Sequence, residues 1–338
     1  MRALRYLAGA FAGLAATLAG LLLVTFVIGR VMPIDPVVAV VGDKASAETY
    51  AAAREKLGLD QPLATQFLRY VGGVARGDLG ASTVSNRPVV EEIGRVFPAT
   101  IELATLGLVI GVALGVPLGV YAAFRHNRWQ DHLVRFVALF GYSMPVFWLG
   151  LIGLLVLYAK LGWVGGPGRI SVAYRYSTPV WSGFMLLDTL RAGNPDAFRK
   201  ALSHIVLPAS LIGYYAMAYI ARMTRAFMIE ELGKEYVTTA RIKGASEARV
   251  LWRHAMPNIL VPLITIIALS YGLLLEGTVL IETVFSWPGL GLYITNALFA
   301  ADMPAVLGGT LVVGLCFVIL NKSSELAYAF LDPRTARP

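Results

Sequence analysis

Uncharged apolar runs alternate with polar stretches along this chain, and the length of the runs decides what kind of structure they form. No charged residue lies between Arg5 and Arg30, and further charge-free runs cover 103–124, 136–159, 201–221, 255–275 and 303–321. At 1.5 Å per residue each run reaches across most or all of a hydrocarbon layer roughly 30 Å thick, so each predicts a membrane-spanning helix. The expectation is an all-α, polytopic integral membrane protein with six transmembrane helices. The opening Met-Arg-Ala-Leu-Arg is charged like a signal peptide. The apolar run behind it is too long for a leader and ends without a small-residue cleavage site, so it reads as an uncleaved anchor.

The polar stretches between the runs give the organisation. Residues 32–98 carry two helical patterns, one over 47–57 ending at Gly58 and one after Asp60 with Leu63, Phe67, Tyr70 and Val74 on one face. Loops on the cytoplasmic side collect Lys and Arg, and the stretch between the last two runs has neither, which places it outside. The plan is therefore an N-terminal transmembrane helix (1–31), an external subdomain (32–98), a core (99–331) and a cytoplasmic tail (332–338) carrying Arg334 and Arg337. Within the core, 160–200 is an external insertion rich in Gly, Pro and aromatics, and 226–257 is a cytoplasmic loop. Lys160, Arg169, Arg175, Arg191, Arg199 and Lys200 count against an external insertion, but long loops obey the charge rule poorly.

Gly107, Gly111, Gly115 and Gly119 recur every fourth residue in the second run and fall on one helix face, where they allow another helix to approach closely. This is a packing ladder and not a phosphate cradle. A Gly-x-x-x-x-Gly-Lys-Ser/Thr loop occurs nowhere in the chain, which argues against ATP binding by this polypeptide.

The most polar long stretch of the second half is 230–257, closed in by apolar runs on both sides. Leu232, Tyr236 and Ala240 have helical spacing, and Gly244 suits the left-handed residue that ends a helix. Ser246 is placed to cap a second helix with Ala248, Leu251, Trp252 and Ala255 on its apolar stripe, stopped by Pro257. Arg241, Lys243, Arg249 and Arg253 make this helix-turn-helix basic, but its attachment to membrane runs at both ends argues against nucleic acid as a partner.

Composition narrows the classes further. With 57% hydrophobic and 15% charged residues and a mean hydropathy of +0.66, a soluble domain is excluded. The net charge of +8 is what basic cytoplasmic loops produce. Cys316 is alone, so neither an internal disulfide nor a thiolate metal cluster can form. His126 and His132 are six apart, a poor spacing for paired ligands, and His204 stands near the start of a run, as a functional group or as an interfacial side chain. Glu102, Glu276 and Glu282 stand near the external ends of runs, where they either line a path or gate, or pair with a basic group. No acid-base set for catalysis emerges, which disfavours a membrane enzyme. A passive channel is the other class to weigh.

The stretch around Gly244 carries a resemblance. Thr238-Thr239-Ala240, three residues, Gly244, nine residues and His254-Ala-Met-Pro257 is similar to the EAA loop of ABC importer membrane subunits, with Thr238 and Thr239 where that motif has Glu and its first Ala. The form Glu-Tyr-Val-Thr-Thr-Ala-Arg-Ile-Lys-Gly-Ala-Ser resembles the peptide and nickel branch. Pro-Ile-Asp-Pro at 33–36, Leu-Gly-Leu-Asp-Gln-Pro at 57–62, Gly-Asp-Leu-Gly at 77–80 and Glu-Thr-Val-Phe-Ser-Trp-Pro-Gly-Leu-Gly at 282–291 look like the same family. Gly-Phe-Met-Leu-Leu-Asp-Thr at 183–189, after Gly-Tyr-Ser-Met-Pro-Val-Phe-Trp at 141–148, resembles the first membrane subunit of dipeptide importers. The resemblance implies a type I ABC importer permease fold in the bacterial inner membrane, with both termini cytoplasmic. It implies that Glu235, Tyr236, Thr238, Thr239, Ala240, Arg241, Lys243, Gly244, Ala245, Ser246, His254 and Pro257 form a coupling helix seated on an ATPase. It further implies a second homologous permease, two ATP-binding subunits that use ATP and Mg, and an extracytoplasmic peptide-binding protein, with no cofactor on this chain. The substrate expected is a dipeptide or short peptide. Oligopeptide, nickel and glutathione are the alternatives within the family.

Overall fold

The computed structural model describes residues 2–31, 36–42, 44–56 and 58–331. Among them the chain is helical, apart from loops and one isolated antiparallel bridge between Ala81 and Pro88. The Pro-Ile-Asp-Pro motif, Leu57 and the 332–338 tail lie wholly or partly outside the described residues. The chain divides into two compact units, Met1–Pro98 with Gly289–Val318, and Ala99–Pro288 with Ile319–Pro338.

The first unit holds α1 (Arg2–Val31), α2 (Pro36–Val41), α3 (Ala47–Lys56), α4 (Leu63–Ala75) and the first turns of α5 (Val89–Phe124). After α3 the chain turns at Gly58, whose φ of +65° is open to glycine and costly to other residues. The expected apolar face of α4 then finds its partner: Phe67 and Tyr70 lie on Phe26 of α1, with ring centroids 5.3 and 5.9 Å away. Val89 and Ile93 of α5 pack with Leu290, Ala297, Ala305 and Val306 in the core of this unit. Asp302 holds the Ser82 hydroxyl and, at 3.1 Å, the Thr83 amide.

The second unit is built on α10. Before it come α6 (Trp129–Ser143), α7 (Val146–Gly153, prolonged by a π-helical turn over Leu154–Lys160), α8 (Val172–Arg175) and α9 (Met185–Arg191). The helix itself runs over Pro195–Leu232, where Asn194 caps it by accepting the Ala197 amide at 3.0 Å and Pro195 opens its first turn. The four glycines of α5 lie against it. A methyl group on Gly111 would come within 2.5 Å of Ala216 Cβ, and one on Gly119 within 2.6 Å of the Ala221 carbonyl oxygen. Beyond α10 come α11 (Glu235–Ile242), α12 (Glu247–Arg249) and α13 (Met256–Val284). In the first unit α14 (Leu290–Phe299) follows, and α15 (Met303–Leu331) ends the described chain.

Among the described residues, four helical stretches are long and apolar enough to cross a membrane: Val89–Phe124, Pro195–Leu232, Glu247–Val284 and Met303–Ser323. The run 136–159, expected as one span, is instead two helices bent by 94°. The bend falls at Met144 and Pro145, where the ring denies the helix a donor and drives Met144 to extended backbone (φ −87°, ψ 134°). Counted as one span, the bent pair makes a fifth, and α1 supplies the apolar stretch Gly13–Gly29. Two further expectations need correction. Leu232 and Tyr236 do not share a helix, because α10 ends at Leu232 and α11 starts at Glu235. Nor does Pro257 stop the second loop helix, since α12, the π-helical turn Val250–Ala255 and α13 are continuous. In that wider turn Met256 N–H reaches the Leu251 carbonyl, which leaves room for a proline ring that a regular turn would exclude.

Candidate functional site

The connection between α10 and α13 is held from inside and open outside. At its start Glu231 is buried, and its carboxylate accepts from Lys234 Nζ at 2.6 Å and from the Tyr236 hydroxyl at 2.8 Å. Asn258 Nδ2 donates to the same hydroxyl at 2.9 Å and to the His254 carbonyl at 3.1 Å. One carboxylate and one phenol thus tie the end of α10, the start of α11 and the start of α13 together. Burial, with the Glu231 charge adding to it, holds the Tyr236 hydroxyl protonated above the usual phenol range. Hydrogen bonding to Glu231 raises the Lys234 ammonium.

The end of α11 explains the glycine. Gly244 has φ +80°, its amide donates to the Arg241 carbonyl at 2.9 Å, and the Ala245 amide donates to the Ala240 carbonyl at 3.1 Å. That pair of bonds is the Schellman closure, which satisfies the last carbonyls of a helix and needs a left-handed residue at this point. Ser246 occupies the N-cap position in extended backbone (φ −66°, ψ 150°), but its hydroxyl makes no capping bond. The turn is instead braced by Arg241, which donates to both Glu247 oxygens at 2.9 and 3.1 Å.

Beneath these helices Val237 and Val250 are fully buried, while Leu251 and Ala255 pack with Met228, Ile259, Val120 and Ala123. Glu235, Thr238, Thr239, Arg241, Lys243, Ser246 and Pro257 face outward, whereas Ala240, Ala245 and His254 are half-buried. Three apolar side chains lie on the outer face. Ile242 is 81% exposed, and Ala248 and Trp252, both expected on the buried stripe, are exposed, Trp252 by 49%. The spacing 235, 238, 239, 242 was the available signal for Ile242, since it puts one apolar residue on an otherwise polar face.

The acidic candidates separate. Glu102 is buried, ion-paired with Arg169, and accepts the Leu186 amide at 2.8 Å. Arg169 also donates to the Gly183 carbonyl at 2.8 Å and lies over the Trp287 ring at 5.6 Å. Trp287 donates through Nε1 to the Ala99 carbonyl at 2.9 Å, and the Gly168 amide donates to the Phe285 carbonyl at 2.7 Å. Glu282 is fully buried and accepts from Thr100 Oγ1 at 2.6 Å. These carboxylates therefore clamp the 160–200 insertion and the 282–287 part of the signature onto α5, and neither meets a passing solute without giving up its partners. Glu276 is exposed on α13. His204 does not reach outward: it is buried, and its Nδ1 donates to the Gly166 carbonyl at 2.9 Å.

Comparison with known proteins agrees with this architecture. Residues 115–337 match the family described as binding-protein-dependent transport system inner membrane component, and residues 3–104 match its N-terminal companion. A protein named as a probable D,D-dipeptide transport system permease of Escherichia coli strain K12 is 42% identical over 96% of this chain and 95% of its own length. A di/tripeptide transport system permease of Pseudomonas aeruginosa is 41% identical over 94% of each chain. A chain of an inward-facing crystal form of the MetNI methionine ABC transporter shares the fold, with a TM-score of 0.50 and 15% identity over 69% of this chain and 93% of that one. The chain belongs to the family of binding-protein-dependent transport system inner membrane components. It is a multi-pass inner-membrane permease of the ABC transporter class.

Proposed function

We propose that this permease carries dipeptides or other short peptides into the cytoplasm, driven by ATP that separate subunits hydrolyse. The observation that carries the reading is the 233–257 connection, rigid on its inner side and open on its outer side, with Ile242, Trp252, Arg241 and Lys243 displayed together. Such a surface suits a groove in a partner, since a rigid element transmits displacement and a floppy one absorbs it. The relatives' names supply the substrate class. Two ATP-binding subunits that use ATP and Mg, a second permease and an extracytoplasmic peptide-binding protein complete the assembly. Trp163, Val172, Tyr176, Val180 and Trp181, all strongly exposed in the 160–200 insertion, offer the binding protein an apolar landing face. Alternating access follows if closure of the ATPases drags this connection and tilts α10 and α13, which it joins.

The direct test is uptake by the reconstituted complex. Radiolabelled Ala-Ala should accumulate only with ATP and with the binding protein present. Accumulation of nickel or glutathione in its place, or entry of Ala-Ala without ATP, would remove the peptide assignment or the importer assignment respectively.

Two further outcomes are expected. In a Cys316→Ala background, cysteines at Ser246 and at Ser85, both outside the buried core, should react from opposite sides of a sealed membrane. Reaction of both with one impermeant reagent would contradict the orientation, which puts both termini in the cytoplasm. Gly244→Val should uncouple ATP hydrolysis from uptake while leaving the chain inserted. A methyl group added at Gly244 would meet nothing within 4 Å, so the cost is purely conformational, on the order of 1–2 kcal/mol for a left-handed non-glycine residue. Transport by Gly244→Val at the wild-type ratio of ATP to peptide would show that the turn geometry is irrelevant.

A further inference from the structure

A cavity of about 440 Å³ opens between α6 and α10, lined by His132, Arg135, Phe136, Leu139, Tyr142 and Arg222 among others. Its walls are α6 along most of its length and the C-terminal half of α10, the half that leads into the 233–257 connection. Its charges do not balance. Asp131 is the acid beside it, and both its oxygens are held by Arg225 at 2.6 Å, with the Asn127 amide adding a bond at 3.0 Å. Arg135 and Arg222 have no carboxylate hydrogen-bonded to them among the described residues. Arg222 is nonetheless held in place, with its guanidinium 5.5 Å from the Tyr142 ring and 5.4 Å from the Tyr219 ring, while Tyr142 stacks on Tyr215 at 5.5 Å. Aromatic faces steady a cation without neutralising it.

Depth decides which anion fits. Arg222 directly follows the charge-free run 201–221, and Arg135 directly precedes the run 136–159. Both guanidiniums therefore stand where hydrocarbon gives way to headgroups, the level at which a lipid phosphate lies. Phe136 and Leu139 extend the lining toward the hydrocarbon and suit a glycerol backbone and the first acyl carbons. We infer that this cavity is a binding site for the headgroup of an anionic phospholipid, whose phosphodiester oxygens accept from Arg135 and Arg222. A planar guanidinium presents paired donors that two oxygens of such a phosphate can accept.

The test is native mass spectrometry of the purified full-length chain with dioleoyl-phosphatidylglycerol or dioleoyl-phosphatidylcholine as probe. Wild type should retain one phosphatidylglycerol in preference to phosphatidylcholine. The double variant Arg135→Gln/Arg222→Gln should retain it about thirtyfold less well, as expected for two basic side chains at a headgroup. Arg249→Gln/Arg253→Gln, which removes the same charge from the 233–257 connection, should match wild type. A second measurement needs no variant: phosphatidylglycerol with a photoreactive headgroup should label residues 132–142 and 218–225 of the wild-type chain. Equal retention by wild type and the double variant, or adducts spread evenly over all apolar helices, overturns the site. Retention of inorganic phosphate or of Ala-Ala in the wild-type cavity, with phosphatidylglycerol indifferent to both arginines, overturns the lipid assignment.

Discussion

Arg169→Met should cost about 3–5 kcal/mol of stability, because it strands the buried Glu102 carboxylate without its cation. Removing one partner of a buried pair is worse than removing both, since the remaining charge keeps its desolvation cost and loses its compensation. Arg169→Met/Glu102→Gln should therefore recover much of the loss, the glutamine oxygen still accepting the Leu186 amide. Thermal melting of the purified permease in detergent checks both. If Arg169→Met melts with wild type, the clamp is decorative and the 160–200 insertion is held by its other bonds. Uptake should fall with the single variant, as the insertion detaches from the signature at Trp287.

Gly111→Val should have the other large effect, about 3 kcal/mol of overpacking with loss of assembled permease from the membrane. The wall opposite it is main chain as well as side chain: besides Ala216 Cβ at 2.5 Å, a methyl on Gly111 would meet the Gly213 carbonyl oxygen at 3.2 Å. Neither α5 nor α10 can yield there by turning a rotamer. Gly277→Ala is the control, because that helical glycine has nothing within 4 Å and alanine favours the helix by up to ~1 kcal/mol. Equal melting temperatures for Gly111→Val and Gly277→Ala would show that the two helices do not depend on close approach.

Why the glycine ladder and the Gly244 turn could be read from residues alone, while the clamp could not, is a matter of range. A four-residue glycine repeat and a glycine after a helix are local signals, and their geometry follows from backbone rules within one or two turns. Glu102 and Arg169 are 67 residues apart, and nothing in their immediate neighbours marks them as partners. The same distance explains His204, whose fixed acceptor is the carbonyl of Gly166, contributed by a loop 38 residues earlier. Pro257 shows a second limit. Its stop signal is real for a regular helix, but the π-helical turn before it changes the local geometry that makes proline disruptive. Trp252 illustrates a third: the apolar stripe of a single helix does not say which of its positions the rest of the chain covers, and this one is left 49% exposed.

The elbow at Met144 and Pro145 has a consequence for solvation. With its 15 residues, α6 ends after about 22 Å of rise, and the chain then turns by 94°. The last carbonyls of one helix and the first amides of the next meet at that corner with no ladder to enter. Acyl chains offer neither donors nor acceptors, so a corner facing lipid would leave several main-chain dipoles bare at a cost of a few kcal/mol each. The corner must therefore be wetted from a water-filled crevice or covered by another polypeptide. On either account, the main chain of the corner itself, at Met144 and Pro145, is shielded from acyl chains in the working assembly, whatever covers the turns of α6 before it.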